Sequence, residues 1–143
     1  MMMTEKYKIL GKYIKDMSSE TADIETYLYV KDNIAKYQLA IDINSKPLKN
    51  KHIEVSTTLK FEDKESSEKK SYFEIVFASI LKIDESIKDK KELEKIILCD
   101  VQTDIYPDLE KSLLDLLHNS GYPEIKFEKK IDFENLYNQK KIN

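Results

Sequence analysis

The sequence predicts an α+β fold: a four-stranded antiparallel, Greek-key-like sheet followed by a long helix and a short C-terminal helix. Three observations carry this. Alternation of period two dominates the first half of the chain, and helical spacing dominates the second. The linkers between the second, third and fourth strands are short enough for antiparallel hairpins. Strands come first and helices after, a segregation that excludes a parallel doubly wound sheet.

In the first strand, Tyr7, Ile9, Gly11 and Tyr13 alternate with Lys8, Leu10, Lys12 and Ile14. A longer segment, Thr21 to Asn33, lets this strand cross over and pair beside the fourth. In the second, Tyr37, Leu39, Ile41 and Ile43 share a face, and the turn Asn44 to Asn50 follows. The third is the clearest: Ile53, Val55, Thr57, Leu59 and Phe61 alternate with Glu54, Ser56, Thr58 and Lys60. After a charged turn from Asp63 to Lys70, the fourth strand runs from about Ser71 to Ile83. Phe73, Ile75 and Phe77 suit a core, and Val76, Ala78 and Ile80 lie between them, so this strand is expected to be central. Asp89 to Gln102 carries Leu93, Ile96, Ile97 and Val101 at helical spacing. Pro107 fits the first turn of a helix, whose stripe is Leu109, Leu113, Leu116 and Leu117. Gly121 is available for a left-handed cap. Tyr122-Pro123-Glu124-Ile125 is an extended link, and Asp132 an N-cap for a last helix with Phe133, Leu136 and Tyr137.

The 143 residues fit one domain, 1–143. Charged types make up 36% and apolar types 41%. There are 24 Lys+Arg, all of them Lys, against 27 Asp+Glu, for a net charge of −3. A slightly acidic chain lacks the basic footprint of nucleic-acid binding. The apolar run Ile75 to Leu81 is too short for direct membrane insertion, and no apolar signal core follows Met1-Met2-Met3. The expected location is the cytoplasm. Gly11 and Gly121 alone cannot build a phosphate loop.

No metal site, cofactor or enzymatic activity is expected. Cys99 with His52 or His118 is the one nucleophile–base set to weigh, and a half-buried helical cysteine is the preferred reading. His118 suits the last turn of a helix, where a cation meets the dipole favourably. Aromatic placement stands out more. Nine Tyr and five Phe are spread over strands, crossover and last helix. They fill a core or line an apolar groove for a flexible partner.

Tyr13-Ile14-Lys15-Asp16-Met17-Ser18-Ser19-Glu20 resembles the end of the first strand in SecB-type protein-export chaperones. Ile105-Tyr106-Pro107, Tyr122-Pro123-Glu124-Ile125 and Ile131-Asp132-Phe133-Glu134-Asn135-Leu136-Tyr137 resemble that family's helix start, link and last helix. The resemblance spans about Tyr7 to Gln139. Its fourth-strand glycine pair is Ala78-Ser79 here, and its polar tail is replaced by a Lys-rich end, Lys140-Lys141-Ile142-Asn143. The resemblance implies a homotetramer built as a dimer of dimers. It also implies ATP-independent holding of unfolded secretory precursors and delivery to the SecA motor. On the same basis, SecA's zinc-bearing tail would meet Asp16, Glu20, Tyr72 and Glu74, which form one acidic patch if strands one and four are neighbours. Clients would meet Tyr27, Tyr29, Phe133, Leu136 and Tyr137. Some members guard an antitoxin instead, and a non-chaperone α+β binding domain is a further alternative.

Overall fold

The computed structural model describes residues 6–65, 69–128 and 130–142, and only the backbone of 140–142. Parts of the expected N-terminal start (1–5), of the charged turn (66–68) and of the Lys-rich end (143 and the side chains of 140–142) lie outside the described residues.

Four strands, β1 (Tyr7–Glu20), β2 (Gln38–Pro47), β3 (His52–Glu62) and β4 (Tyr72–Ile83), form one antiparallel sheet in the order β1-β4-β3-β2. The first strand has crossed over to pair with the fourth, as expected of a Greek key, and β4 lies between β1 and β3. One face is the core: Val55, Thr57, Leu59 and Phe61 from β3, with Phe73, Ile75, Phe77 and Leu81 from β4, are buried. The opposite face carries Glu54, Lys60, Tyr72 and Glu74. Period-two alternation, with one face covered, explains this division.

The even alternation expected for β1 does not hold. Bulges between Ile9 and Gly11 and between Ile14 and Asp16 each shift the register by one. Tyr7 and Ile9 therefore lie on the core side, and Gly11 and Tyr13 on the other, because an inserted residue flips every side chain beyond it.

The crossover segment is partly helical. It contains helix α1 (Ile24–Asp32), capped by Asp23, whose carboxylate accepts from the Thr26 N–H at 2.8 Å. Thr26 and Val30 point inward and are buried. The ladder of β2 and β3 continues to Pro47 opposite Ile53, so the turn is tighter and later than expected. It passes through Asn50 and Lys51, both with φ of 63°.

Helix α2 (Lys90–Lys95), a π-helical turn (Ile96–Asp100) and α3 (Val101–Asn119) follow one another without a break. Pro107 lies inside α3 instead of opening it. An interior proline costs about 3 kcal/mol. Against that, Ile105, Leu109, Leu113 and Leu117 are fully buried on the sheet, each contributing about 1.5–3 kcal/mol. Packing outweighs the lost backbone bond. Gln102 ties the π turn down: its Nε2 donates to the Ile97 carbonyl at 3.2 Å, and its Oε1 accepts from the Thr57 hydroxyl at 3.0 Å. Gly121, at φ +108°, ends α3 as expected. The Tyr122 N–H reaches the Leu117 carbonyl and the Gly121 N–H the His118 carbonyl, which satisfies the last turn. Asp132 caps α4 (Phe133–Ile142) through the Asn135 N–H at 3.1 Å.

Candidate functional site

Two surfaces gather the residues that the sequence singled out. The first is the uncovered face of the sheet. The bulge before Asp16 turns Asp16, Ser18 and Glu20 onto this face, and the β1–β4 register sets Ser18 opposite Glu74 and Glu20 opposite Tyr72. Asp16, Glu20, Tyr72 and Glu74 therefore do form one patch. The Tyr72 hydroxyl donates to Glu74 Oε2 at 2.5 Å, and the Ser18 hydroxyl donates to Asp16 at 3.2 Å. The Tyr72 phenol is pushed up to about 12, first by its bond to Glu74, then by burial and by the charges of Glu74, Asp16 and Glu20. From β3, directly opposite Glu74, Lys60 pairs with Glu74 Oε1 at 3.8 Å.

A similar group lies further along this face. The Tyr13 hydroxyl donates to Glu54 Oε2 at 2.9 Å, and Lys15 pairs with Glu54 Oε1 at 3.4 Å. The Tyr13 bond, more than the lysine, holds the Glu54 carboxyl below its usual range. Sequence reading did not single out this group, because its members meet only through the bulges of β1.

The second surface is apolar and lies in two places. Between β2 and α4, Ile41, Ile43, Leu98, Phe133, Leu136 and Tyr137, with Asp42 as the one charged residue, line a groove of about 250 Å³. Phe133 and Tyr137 are buried, and Phe133 meets Tyr106 edge-on with centroids 5.4 Å apart. Leu136 stands 44% exposed at the groove's rim. Tyr27 and Tyr29 lie on α1, away from this groove, where α1 meets the residues after α3. Tyr27 is held by the Gly121 carbonyl at 2.9 Å and by the Tyr122 ring at 5.4 Å. Tyr29 is exposed, as are Ile24 (70%) and Leu28 on the same helix. Tyr106, which touches Phe133, lies in the second turn of α3 and Tyr122, which touches Tyr27, just past its end, so the two sets of rings sit roughly 20 Å apart along the helix at 1.5 Å per residue. Ile24 and Leu28 were missed by sequence reading. Their signal was the spacing of four after the Asp23 cap, legible only once the crossover is recognised as a helix.

The residues weighed for nucleophilic chemistry are placed structurally. Cys99 is buried, and burial, followed by the charge of Asp100, pushes its thiol up. His118 meets the Ile125 carbonyl through Nε2 at 2.9 Å and so fastens the link after α3. Among the described residues, no helix is long and apolar enough to cross a membrane.

The sequence matches the family model for preprotein translocase subunit SecB over residues 2–143. A Pelagibacter ubique relative with a provisional SecB protein-export name is 62% identical over 138 residues, covering 96% of this chain and 99% of that one. A SecB protein-export protein from Jannaschia is 29% identical, covering 94% of this chain and 79% of the relative. One from Mesorhizobium japonicum is 23% identical, covering 92% and 77%. A similar solved structure is a Mycobacterium tuberculosis SecB-like chaperone in complex with an antitoxin peptide. It has a TM-score of 0.62 at 14% identity, with 87% of this chain and 91% of that one covered. At that identity the likeness speaks to the fold alone.

Proposed function

The chain belongs to the SecB family of protein-export chaperones, and on that premise we propose that it is an ATP-independent holdase that binds unfolded precursor polypeptides and passes them to the SecA motor. The observation that carries the holding role is the apolar surface left open beside the core. In a chain of 36% charged residues, Ile24, Leu28 and Tyr29 on α1 and Leu136 over the β2–α4 groove remain exposed. Apolar contacts of this kind tolerate many client sequences, and each is weak.

Assembly as a dimer of dimers is supported by a different surface, the edge of β1. Among the described residues β1 pairs only with β4, which leaves its other edge without a strand there. Ile14 and Met17, on the core side of the sheet, are exposed there. A second copy would cover both the edge and these side chains. Motor docking is assigned to Asp16, Glu20, Tyr72 and Glu74, where acidic charge complements a basic partner. Client contact is assigned to Tyr29 and Leu136 at the surface, with Phe133, Tyr137 and Tyr27 as the rings beneath.

The test is native mass together with suppression of aggregation of a reduced, unfolded protein without nucleotide. A tetramer that suppresses aggregation of several unrelated clients, and binds SecA, is expected. A monomer that holds nothing would overturn the reading. Capture confined to an antitoxin segment, as in the Mycobacterium tuberculosis complex, would replace export by antitoxin guarding.

A further inference from the structure

We infer that Lys60 is an internal competitor for the docking face, occupying through Glu74 a place that a partner's cation must take. The inference rests on the docking reading given above and names the residue that tunes it. Glu74 has both carboxylate oxygens engaged within the chain, Oε2 by the Tyr72 hydroxyl and Oε1 by Lys60. The Glu74 side chain is only 17% exposed, whereas that of Lys60 is 42% exposed. An approaching partner therefore meets the lysine first. Lys60 also lines a hollow of about 290 Å³ with Asp42, Thr58, Glu62 and Glu74 on the same face. Three carboxylates and one cation share that hollow, and the cation belongs to the chain itself.

Asp16 and Glu20 are placed differently. Asp16 accepts one hydrogen bond, from Ser18, and the Glu20 side chain has no hydrogen-bond or ion-pair partner among the described residues. Those two meet an incoming basic segment directly, and Glu74 becomes available only as Lys60 swings away. Such an exchange of one exposed ion pair for another is worth little net and is strongly salt-dependent. That suits a contact made and broken in each delivery cycle.

The experiment measures affinity of the tetramer for a zinc-loaded C-terminal tail peptide of SecA, at low and at moderate salt. Lys60→Gln should tighten binding about two- to five-fold at low salt, the range an exposed pair allows, with the gain shrinking as salt rises. In a Glu74→Gln background the same change should give no gain, since the competition has lost its object. Capture of an unfolded client should be unchanged in Lys60→Gln. If the parent binds the tail and Lys60→Gln binds equally or more weakly, the competitor role is overturned while the docking face stands. If the parent binds no tail peptide at low salt, the docking reading falls and this inference with it.

Discussion

The Tyr27 hydroxyl donates to the Gly121 carbonyl at 2.9 Å, and the Tyr27 ring fills the space that a β-carbon at position 121 would take. That β-carbon would lie 2.6 Å from Tyr27 Cε1, and the backbone there has φ of +108°. Gly121→Ala thus meets left-handed strain and a ring that must move. A loss of about 1–3 kcal/mol is expected, read as a lower urea midpoint at unchanged slope. Tyr27→Ala removes the steric part but not the strain. The double variant should therefore lose less than the two singles summed; strict additivity would mean that ring and glycine share no contact.

Gln102 is fully buried and satisfies two other buried groups, the Thr57 hydroxyl and the Ile97 carbonyl. Gln102→Leu keeps the volume and strands both. Each stranded group costs about 1–3 kcal/mol, so a loss of about 2–5 kcal/mol is expected from equilibrium unfolding. Adding Thr57→Val removes one of the stranded groups and should recover about 1 kcal/mol or more. No recovery would show that the hydroxyl finds another acceptor.

Tyr72 makes the electrostatics of the outer face measurable. Its phenol is raised from 10.0 to about 12, chiefly by the bond to Glu74. A raised tyrosine pKa means that the fold favours the protonated form. The contribution is complete below the unfolded value near 10 and disappears as pH rises through about 12. Glu74→Gln removes the charge and leaves a neutral acceptor, so the ultraviolet titration of Tyr72 should move down toward 10. An unmoved curve would mean that Asp16 and Glu20, not Glu74, govern the phenol.

The strands and their order were legible because each covered face writes itself as alternation, and Val76, Ala78 and Ile80 interleaved with Phe73, Ile75 and Phe77 mark β4 as central. The bulges of β1 were not. An inserted residue changes no composition, only parity; the first bulge inverts the faces for Gly11 and Tyr13, and the second restores Asp16 and Glu20 to the side of Tyr72 and Glu74, where unbroken alternation also puts them. α1 was hidden because its apolar stripe faces outward and its buried face includes Thr26, the reverse of the usual pattern. Pro107 misled for a physical reason: local propensity stops a helix where the buried stripe of Ile105 and Leu109 keeps it going. The acidic patch was legible through the family resemblance and shared strand parity, whereas the engagement of Glu74 by Lys60 follows only from register.

Assembly is expected to run through β1. Met17 is half exposed on the core side of an edge strand, with Ile14 beside it. Met17→Lys puts a charge where a second copy would cover an apolar side chain, and burying it unpaired costs several kcal/mol. The variant should sediment as a smaller species at micromolar concentration, with its far-ultraviolet circular dichroism unchanged. An intact tetramer would place the interface elsewhere.

Client capture separates surface from core. Leu136 and Leu28 are exposed, so Leu136→Ser with Leu28→Ser removes little from the folded chain. If the two apolar sites hold one extended client, each loss weakens a separate contact and the effects multiply. Each leucine contributes on the order of 1 kcal/mol where a client covers it, so capture of an unfolded protein should weaken by at least ten-fold in the double variant. Phe133→Ala is the contrast. Its ring is buried against Tyr106, so about 3–5 kcal/mol of stability should go, with capture lost only as α4 detaches. Normal capture by the double serine variant, with its fold intact, would remove α1 and the rim of the β2–α4 groove from the client path. It would leave the buried rings without a binding role.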